Sequence, residues 1–360
     1  MTDAVATPGL VPAPSEAPVL APDAPDAPPP AAPVADEPPN RRRRLILLLL
    51  LLAGLFVLIL FAIWYLIFRQ PVENVIPNLD FTKPPAYTSS IYGLSKPLGV
   101  AVSADGSRIY VTQGGADQAA LVLDGAGNRV AVLAPPTDVV ARATQLYVAV
   151  NPKTGEVYTS DRASGAVFVY GADGSYKAVF KPSGISVWQP LAIAFDAAGN
   201  LYVADVAGDF QKVHVYGPDG ALLRDLGTDG LFAFPNGIGI DGNGNVYVSD
   251  SNNGRLVVFD RSGAQIGLIQ RGPADGQFGM PRGVVVDGQG RVFVVDSVAQ
   301  SVQLFRSLQA GETTPAFKVR FGREGTVDGA FEFPNGIAAD GRGRIYVTDW
   351  NNDRLQIWSY

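Results

Sequence analysis

Apolar residues are distributed along the chain in three distinct ways. In residues 1–40 they are mostly Ala and Val scattered among prolines, with no period of either helix or strand. From Leu45 to Phe68 they form one run without a single charge. Beyond residue 90 they occur as short clusters separated by Asp-Gly, Gly-Asn or Ser-Gly pairs, which is strand and hairpin chemistry. Near-continuous apolar stretches such as Ile193-Ala194-Phe195 and Val284-Val285-Val286 suit strands covered on both faces.

One arrangement of these clusters recurs six times from residue 96 onward. Its clearest copy runs Phe234-Pro235-Asn236-Gly237-Ile238, then Asp241 and a Gly/Asn turn, then Val246-Tyr247-Val248-Ser249-Asp250, and finally Asn253-Gly254-Arg255-Leu256. The last copy repeats it as Phe333-Pro334-Asn335-Gly336-Ile337, Asp340, Ile345-Tyr346-Val347-Thr348-Asp349 and Asn352-Asp353-Arg354-Leu355. Copies three and five begin at Pro190 and Pro281. The first has Gln113 in place of the usual Asp, and the second lacks the Pro-x-Gly start. The strand-ending positions 113, 161, 205, 250, 296 and 349 lie 44 to 53 residues apart. That interval fits one four-stranded blade per repeat, and hence an all-β, six-bladed β-propeller over residues 86–360.

The pattern Pro-x-Gly-[Ile/Val], Asp-x-x-Gly, [Tyr/Phe]-Val-x-Asp-x-x-Asn-x-Arg-[Leu/Val] resembles NHL repeats, strongly in copies three to six and loosely in one and two. The resemblance implies a six-bladed propeller. NHL-like propellers serve as sensor domains of membrane-anchored bacterial Ser/Thr kinases and as RNA or protein binders, and related propellers act as lyases or lactone hydrolases, so the resemblance specifies architecture more than activity.

Strand alternation sorts the loops. If each repeat runs a, b, c, d across its blade, the d-to-a and b-to-c loops share one face, here called upper, and the tight a-to-b and c-to-d turns share the lower face. The last copy ends on its third strand, so the segment Ala86 to Tyr92 is placed to supply the fourth and cover the edge. A chain entering that strand arrives on the lower face, so a linker over 69–85 would direct the upper face away from a membrane.

The membrane enters through the apolar run. At ~1.5 Å per residue, Leu45–Phe68 reaches ~36 Å, enough for a hydrocarbon core of ~30 Å. Arg41, Arg42, Arg43 and Arg44 precede it and only Arg69 follows at once, which predicts a cytoplasmic N-terminus, a single-pass cell-membrane anchor and an extracytoplasmic propeller. The length of the run and its position forty residues in favour an uncleaved anchor over a cleaved signal peptide. Trp64 and Tyr65 suit an interfacial belt, and the arginines suit anionic headgroups. The first forty residues hold twelve prolines and no Lys or Arg, which predicts a disordered tail with polyproline II stretches.

Charge and composition then narrow the chemistry. From residue 69 onward 24 Lys and Arg face 28 Asp and Glu, a balance that disfavours nucleic acid as a partner. Cys is absent, so no disulfide or thiolate site exists. His214 is the sole histidine, which excludes multi-histidine zinc or lyase sites. Asp241-Gly242-Asn243-Gly244-Asn245 begins like a calcium loop, but its twelfth position is Asn252, and a strand follows; it reads as a hairpin turn. Glu is scarce, with Glu332 alone in an upper-face loop, so a lactonase-like hydrolase or lyase with a channel metal is the secondary reading and a structural subunit of an envelope complex a third. No cofactor is implied.

The ring of Asp161, Asp205, Asp250, Asp296 and Asp349 reads as turn caps, with Arg255 and Arg354 as ion-pair partners, because a catalytic site needs different residues in different blades. Recognition chemistry lies on the upper face, where Trp188, Asn236, Asn252, Arg282, Asn335, Trp350 and Asn351, together with Phe234, Phe278 and Phe333, are types that form binding hot spots. The leading expectation is a membrane-anchored, non-enzymatic module holding a protein, peptide or glycan.

Overall fold

The computed structural model describes residues 41–69, 83–115, 118–182 and 187–360. The expected disordered tail over 1–40 and most of the 69–85 linker lie outside them. The chain divides into two compact units, Met1–Tyr65 and Leu66–Tyr360.

The first described element is a helix of 29 residues, Arg41–Arg69. Its large apolar side chains from Leu45 to Leu60 stand exposed. Among the described residues no helix is long and apolar enough to cross a membrane. The transmembrane helix expected over Leu45–Phe68 is therefore not borne out among the described residues.

The described residues of the second unit form a six-bladed propeller of 24 strands in six four-stranded antiparallel sheets. Five blades are built from consecutive strands, spanning 97–133, 145–180, 190–226, 235–269 and 281–321. The sixth combines Pro334–Ala339, Arg344–Asp349 and Arg354–Ser359 with Ala86–Tyr92. Ala86 pairs with Ser359 and Tyr92 with Arg354, so the strand that precedes the first repeat closes the ring.

The hydrophobic core lies between blades. Six buried clusters each draw on two neighbours, as where Val213 and Val215 of blade three meet Val246 and Val248 of blade four, and Val100 and Ile109 of blade one meet Tyr346 and Leu355 of blade six. The alternation within each strand sends one side chain to each flanking blade, which is why strands b and c are buried throughout, as in Val246–Asp250. Strand d faces water and reads more polar, as in Leu222–Leu226.

The inner strands approach closely where the repeat places Gly. A Cβ at Gly283 would sit 2.7 Å from the Asn335 carbonyl oxygen, and one at Gly99 2.8 Å from the Tyr147 Cα. At Gly237 it would collide with the Arg282 carbonyl, and at Gly336 with that of Leu98. Each obstacle is backbone of the next blade, which cannot rotate away.

Gly237→Ala is therefore expected to destabilise the propeller by at least ~2 kcal/mol, whereas Gly242→Ala, with nothing within 4 Å of its added Cβ, should be close to neutral. Urea unfolding of the two variants side by side checks this; equal midpoints would refute the close-approach account.

Candidate functional site

The Asp ring is consumed by the fold. In every blade the strand-ending side chain accepts the backbone N–H of the residue one or two before the inner strand. Thr144 N donates to Asp161 (2.8 Å), Gln189 N to Asp205 (3.0 Å), Ala233 N to Asp250 (2.7 Å), Met280 N to Asp296 (3.0 Å) and Glu332 N to Asp349 (2.7 Å). Asp161, Asp205 and Asp296 also cap the turn after their own strand, as in Ala163 N to Asp161 (2.9 Å). Blade one does the same with an amide, Ser95 N donating to Gln113 Oε1 at 2.8 Å. Gln113 is thus a substitute staple in the first blade. Arg255 Nε donates to Asp250 at 2.7 Å and Arg354 Nε to Asp349 at 2.8 Å.

On the lower face Asp241 accepts Asn243 N and Asn245 N at 2.9 Å, and Gly244 has φ of 84°. The acid holds a hairpin turn. Among the described residues no group of three or more His, Asp and Glu is placed to hold a metal ion.

The upper face carries a cavity of about 480 Å³, lined by residues including Leu98, Leu146, Met280, Arg282, Phe333, Asn335 and Trp350. A second hollow of about 210 Å³ shares Leu98, Leu146, Arg282 and Asn335 with it and adds Tyr147, Arg162, Leu191, Phe234 and Asn236. These two hollows form the mouth. Below lies a channel of about 180 Å³ walled by the inner strands.

Two repeat positions build the mouth. The residue after Pro, or after Gln145 in blade two, gives Leu98, Leu146, Leu191, Asn236, Arg282 and Asn335, one per blade. The residue before Pro gives Lys96, Phe234, Met280 and Phe333 at the rim. Phe234, Phe333 and Lys96 have φ of 61°, 53° and 51°, a left-handed conformation that bulky residues adopt only when held. Each is held by the preceding blade: Gln211 accepts Phe234 N at 2.6 Å, Gln300 accepts Phe333 N at 2.6 Å and Asp353 accepts Lys96 N at 2.9 Å.

Tyr147 stands where the other blades have Gly or Ala. Its hydroxyl crosses the axis to the side-chain amides of Asn236 and Asn335, the latter at 2.8 Å. The hydroxyl faces the Oδ1 of both amides and has one proton to share between them. Tyr147 floors the mouth. Burial pushes its pKa up to about 12, so it stays neutral.

Arg282 projects into this mouth without an acidic partner among the described residues. Its Nε is buried with no hydrogen bond, and its Nη2 meets only the Met280 sulfur at 3.3 Å. Its guanidinium and that of Arg162 each lie 5.9 Å from the Phe234 ring centroid. Lys96 Nζ sits 5.3 Å from the Trp350 ring and 3.3 Å from Asp353.

The expected recognition residues therefore separate. Asn236, Arg282, Asn335 and Trp350 converge on the mouth, with Phe234 and Phe333 at its rim. Trp188 does not take part: it is 5% exposed, packed against His214 and Tyr216. Phe278 is fully buried, because it stands three before its Pro, in register with Phe232 and Phe331, and fills the gap between blades. Asn252 and Asn351 lie outside the cavity lining; Asn252 is exposed, and the Asn351 carbonyl accepts from Lys96 Nζ at 3.3 Å. Glu332 does not line it either. Sequence reasoning passed over Tyr147, Arg162 and the three leucines. The Leu after Pro was the available signal.

His214 lies on strand c of blade three, away from the mouth. Its Nδ1 meets Asp225 at 2.6 Å and its Nε2 lies 3.6 Å from Asp205. Burial opposes its charge, but the two carboxylates outweigh burial and its pKa is raised.

The NHL repeat model matches residues 232–259 and 331–358, the fourth and sixth copies. No curated protein is similar enough in sequence to match. Among solved structures, the gluconolactonase of Xanthomonas campestris is similar with a TM-score of 0.57 at 17% identity, covering 77% of this chain and 95% of that one. Virginiamycin B lyase from Staphylococcus aureus matches at 0.52 and 14%, covering 76% and 98%. A chain of a nidogen–laminin complex matches at 0.50 and 18%, covering 62% and 83%. At these identities the likeness is one of fold, shared by a gluconolactonase, a lyase and a chain of the nidogen–laminin complex alike.

The raised pKa of His214 makes its contribution to stability complete below the ordinary value of 6.5 and progressively lost as pH rises through the higher folded value. Urea midpoints measured from pH 6 to 8.5 should fall across that window, and His214→Gln should flatten the slope. A midpoint that rises with pH, or a slope unchanged in the variant, would contradict the assignment.

Proposed function

We propose that this NHL-repeat six-bladed propeller is a binding module, anchored in a bilayer by its N-terminal helix, that holds a protein, peptide or glycan ligand at the upper-face mouth. The observation that carries the reading is the state of the polar groups there. The repeated carboxylates are all engaged in holding loops, while Arg282 and the amides of Asn236 and Asn335 converge on one cavity with bonding capacity that the fold does not use. Aromatic side chains at Phe234, Phe333 and Trp350 rim it, and Phe333 is 49% exposed.

A hydrolase or lyase reading draws little from the mouth. Among the described residues its lining includes no Asp, Glu or His, so none of them offers a carboxylate or imidazole as a general base or metal ligand. Its one phenol, Tyr147, has its pKa raised to about 12.

The anchor reading rests on the sequence. The helix Arg41–Arg69 rises ~43 Å, and the uncharged run continues through it from Leu45 to Phe68. Exposed Leu, Ile and Phe side chains all round a helix are stable in lipid and unfavourable in water. Four arginines before the run favour a cytoplasmic N-terminus and an external propeller.

A photo-crosslinking residue replacing Phe333 in intact cells should capture ligand, while one replacing Gln289 on the lower face should not. Equal capture at both positions would refute an upper-face site. Topology can be read separately, because the chain has no Cys. Ser262→Cys should react with a membrane-impermeant maleimide in intact cells, and Ala32→Cys only after permeabilisation; the reverse result would invert the orientation.

A further inference from the structure

The residue after Pro divides the mouth into two halves. Blades one to three place Leu98, Leu146 and Leu191 there, and blades four to six place Asn236, Arg282 and Asn335. One arc is therefore hydrocarbon and the facing arc is a row of hydrogen-bond donors. Tyr147 engages the Oδ1 of both Asn236 and Asn335, so their Nδ2 donors are not used by it, and Arg282 Nε is buried with no hydrogen-bond partner among the described residues. The chain as a whole carries a net charge of −6, yet among the described residues no acid lines this mouth and two arginines do.

A planar guanidinium flanked by amides matches a carboxylate, which accepts two parallel N–H bonds from it. The leucine arc, continued by Met280, asks for an apolar group attached next to that carboxylate. We propose that the mouth captures the C-terminal carboxylate of a peptide whose last side chain is apolar, the carboxylate on Arg282 between Asn236 and Asn335, and the side chain against Leu98, Leu146 and Leu191. This assignment rests on the upper-face binding reading and narrows it. A uronic acid satisfies Arg282 equally well, but its ring hydroxyls would lie unpaired against three leucines. A polyanion such as RNA needs a basic track, whereas the rim cation Lys96 is already paired with Asp353.

The test uses the full chain in detergent and fluorescein-labelled hexapeptides with four randomised positions and a last residue of Leu, Phe or Val. One pool has a free C-terminus and its twin a C-terminal amide. By fluorescence anisotropy the acid pool should bind about tenfold more tightly or better than the amide pool. Arg282→Gln should abolish that difference, and Arg282→Lys should keep part of it while showing that the mouth tolerates substitution. Equal binding of the two pools, a difference that survives Arg282→Gln, or no binding by the acid pool would overturn the proposal. So would an oligogalacturonide that binds through Arg282 while the peptides are silent. If both pools bind equally and block crosslinking at position 333, the upper-face site stands and the carboxylate assignment alone falls.

Discussion

Six inner strands meeting around one axis have no room for side chains directed sideways into the next blade. The repeat meets this constraint with Gly99, Gly237, Gly283 and Gly336, each facing backbone of its neighbour. Closeness at that position fixes the direction of the one before it, which emerges at the top of the strand over the axis. The six residues there thereby become a ring that no single blade could form. Where blade two carries Tyr147 in place of Gly, its ring packs with Leu146, Leu191 and Phe234, and its hydroxyl ties blades two, four and six together.

The same strands must be fixed in height, and the strand-ending acids do this. Each holds a loop N–H ahead of its inner strand, so the loop is tied to strand b of the same blade. Hydroxyls add the tie between blades: Thr112 Oγ1 donates to the Leu146 carbonyl at 2.6 Å, Ser160 Oγ to that of Leu191 at 2.6 Å and Thr348 Oγ1 to that of Leu98 at 2.8 Å. These are the carbonyls of mouth residues, so the scaffold bonds position the mouth directly. Using the carboxylates as staples also removes them from the cavity, and an acidic protein is left with a cationic mouth.

Much of this was legible because the fold repeats. The interval between strand-ending acids gave the number of blades, and the missing fourth strand of the last copy pointed to Ala86–Tyr92. The capping role of the acids followed from their presence in nearly every blade. What repetition hid was the exception. Tyr147 is invisible to a motif that blade two lacks, and Gln113 looks like a lost site although its amide oxygen does the work of the Asp. Phe278 and Trp188 were misjudged for a different reason. A loop aromatic one residue before Pro stands at the rim, and one two or three before it is buried between blades, a distinction of register that residue type cannot convey.

Closure sets the last requirement. Five blades fold from contiguous chain, but the sixth joins segments that begin and end the propeller, and such a joint needs specificity of register as well as burial. Its polar network supplies that. Arg354, 1% exposed, donates to Asp349 and Asp328 and to the carbonyls of Thr326, Val327 and Ala330. Ser90 and Tyr92 of the incoming strand donate to the same Asp328. Arg255, its counterpart in blade four, is satisfied by Asp250 and one carbonyl, that of Leu231. A buried guanidinium with so many fixed acceptors is costly unless all are in place, so it favours the one pairing in which Tyr92 meets Arg354. Because that pairing brings together residues 86 and 359, the ring cannot close until the whole repeat array has been made, and the strand that follows the N-terminal helix must wait, unpaired, for the last one. Ala86–Tyr92 suits that wait. Its Thr88, Ser89 and Ser90 give it little apolar surface to offer a wrong partner.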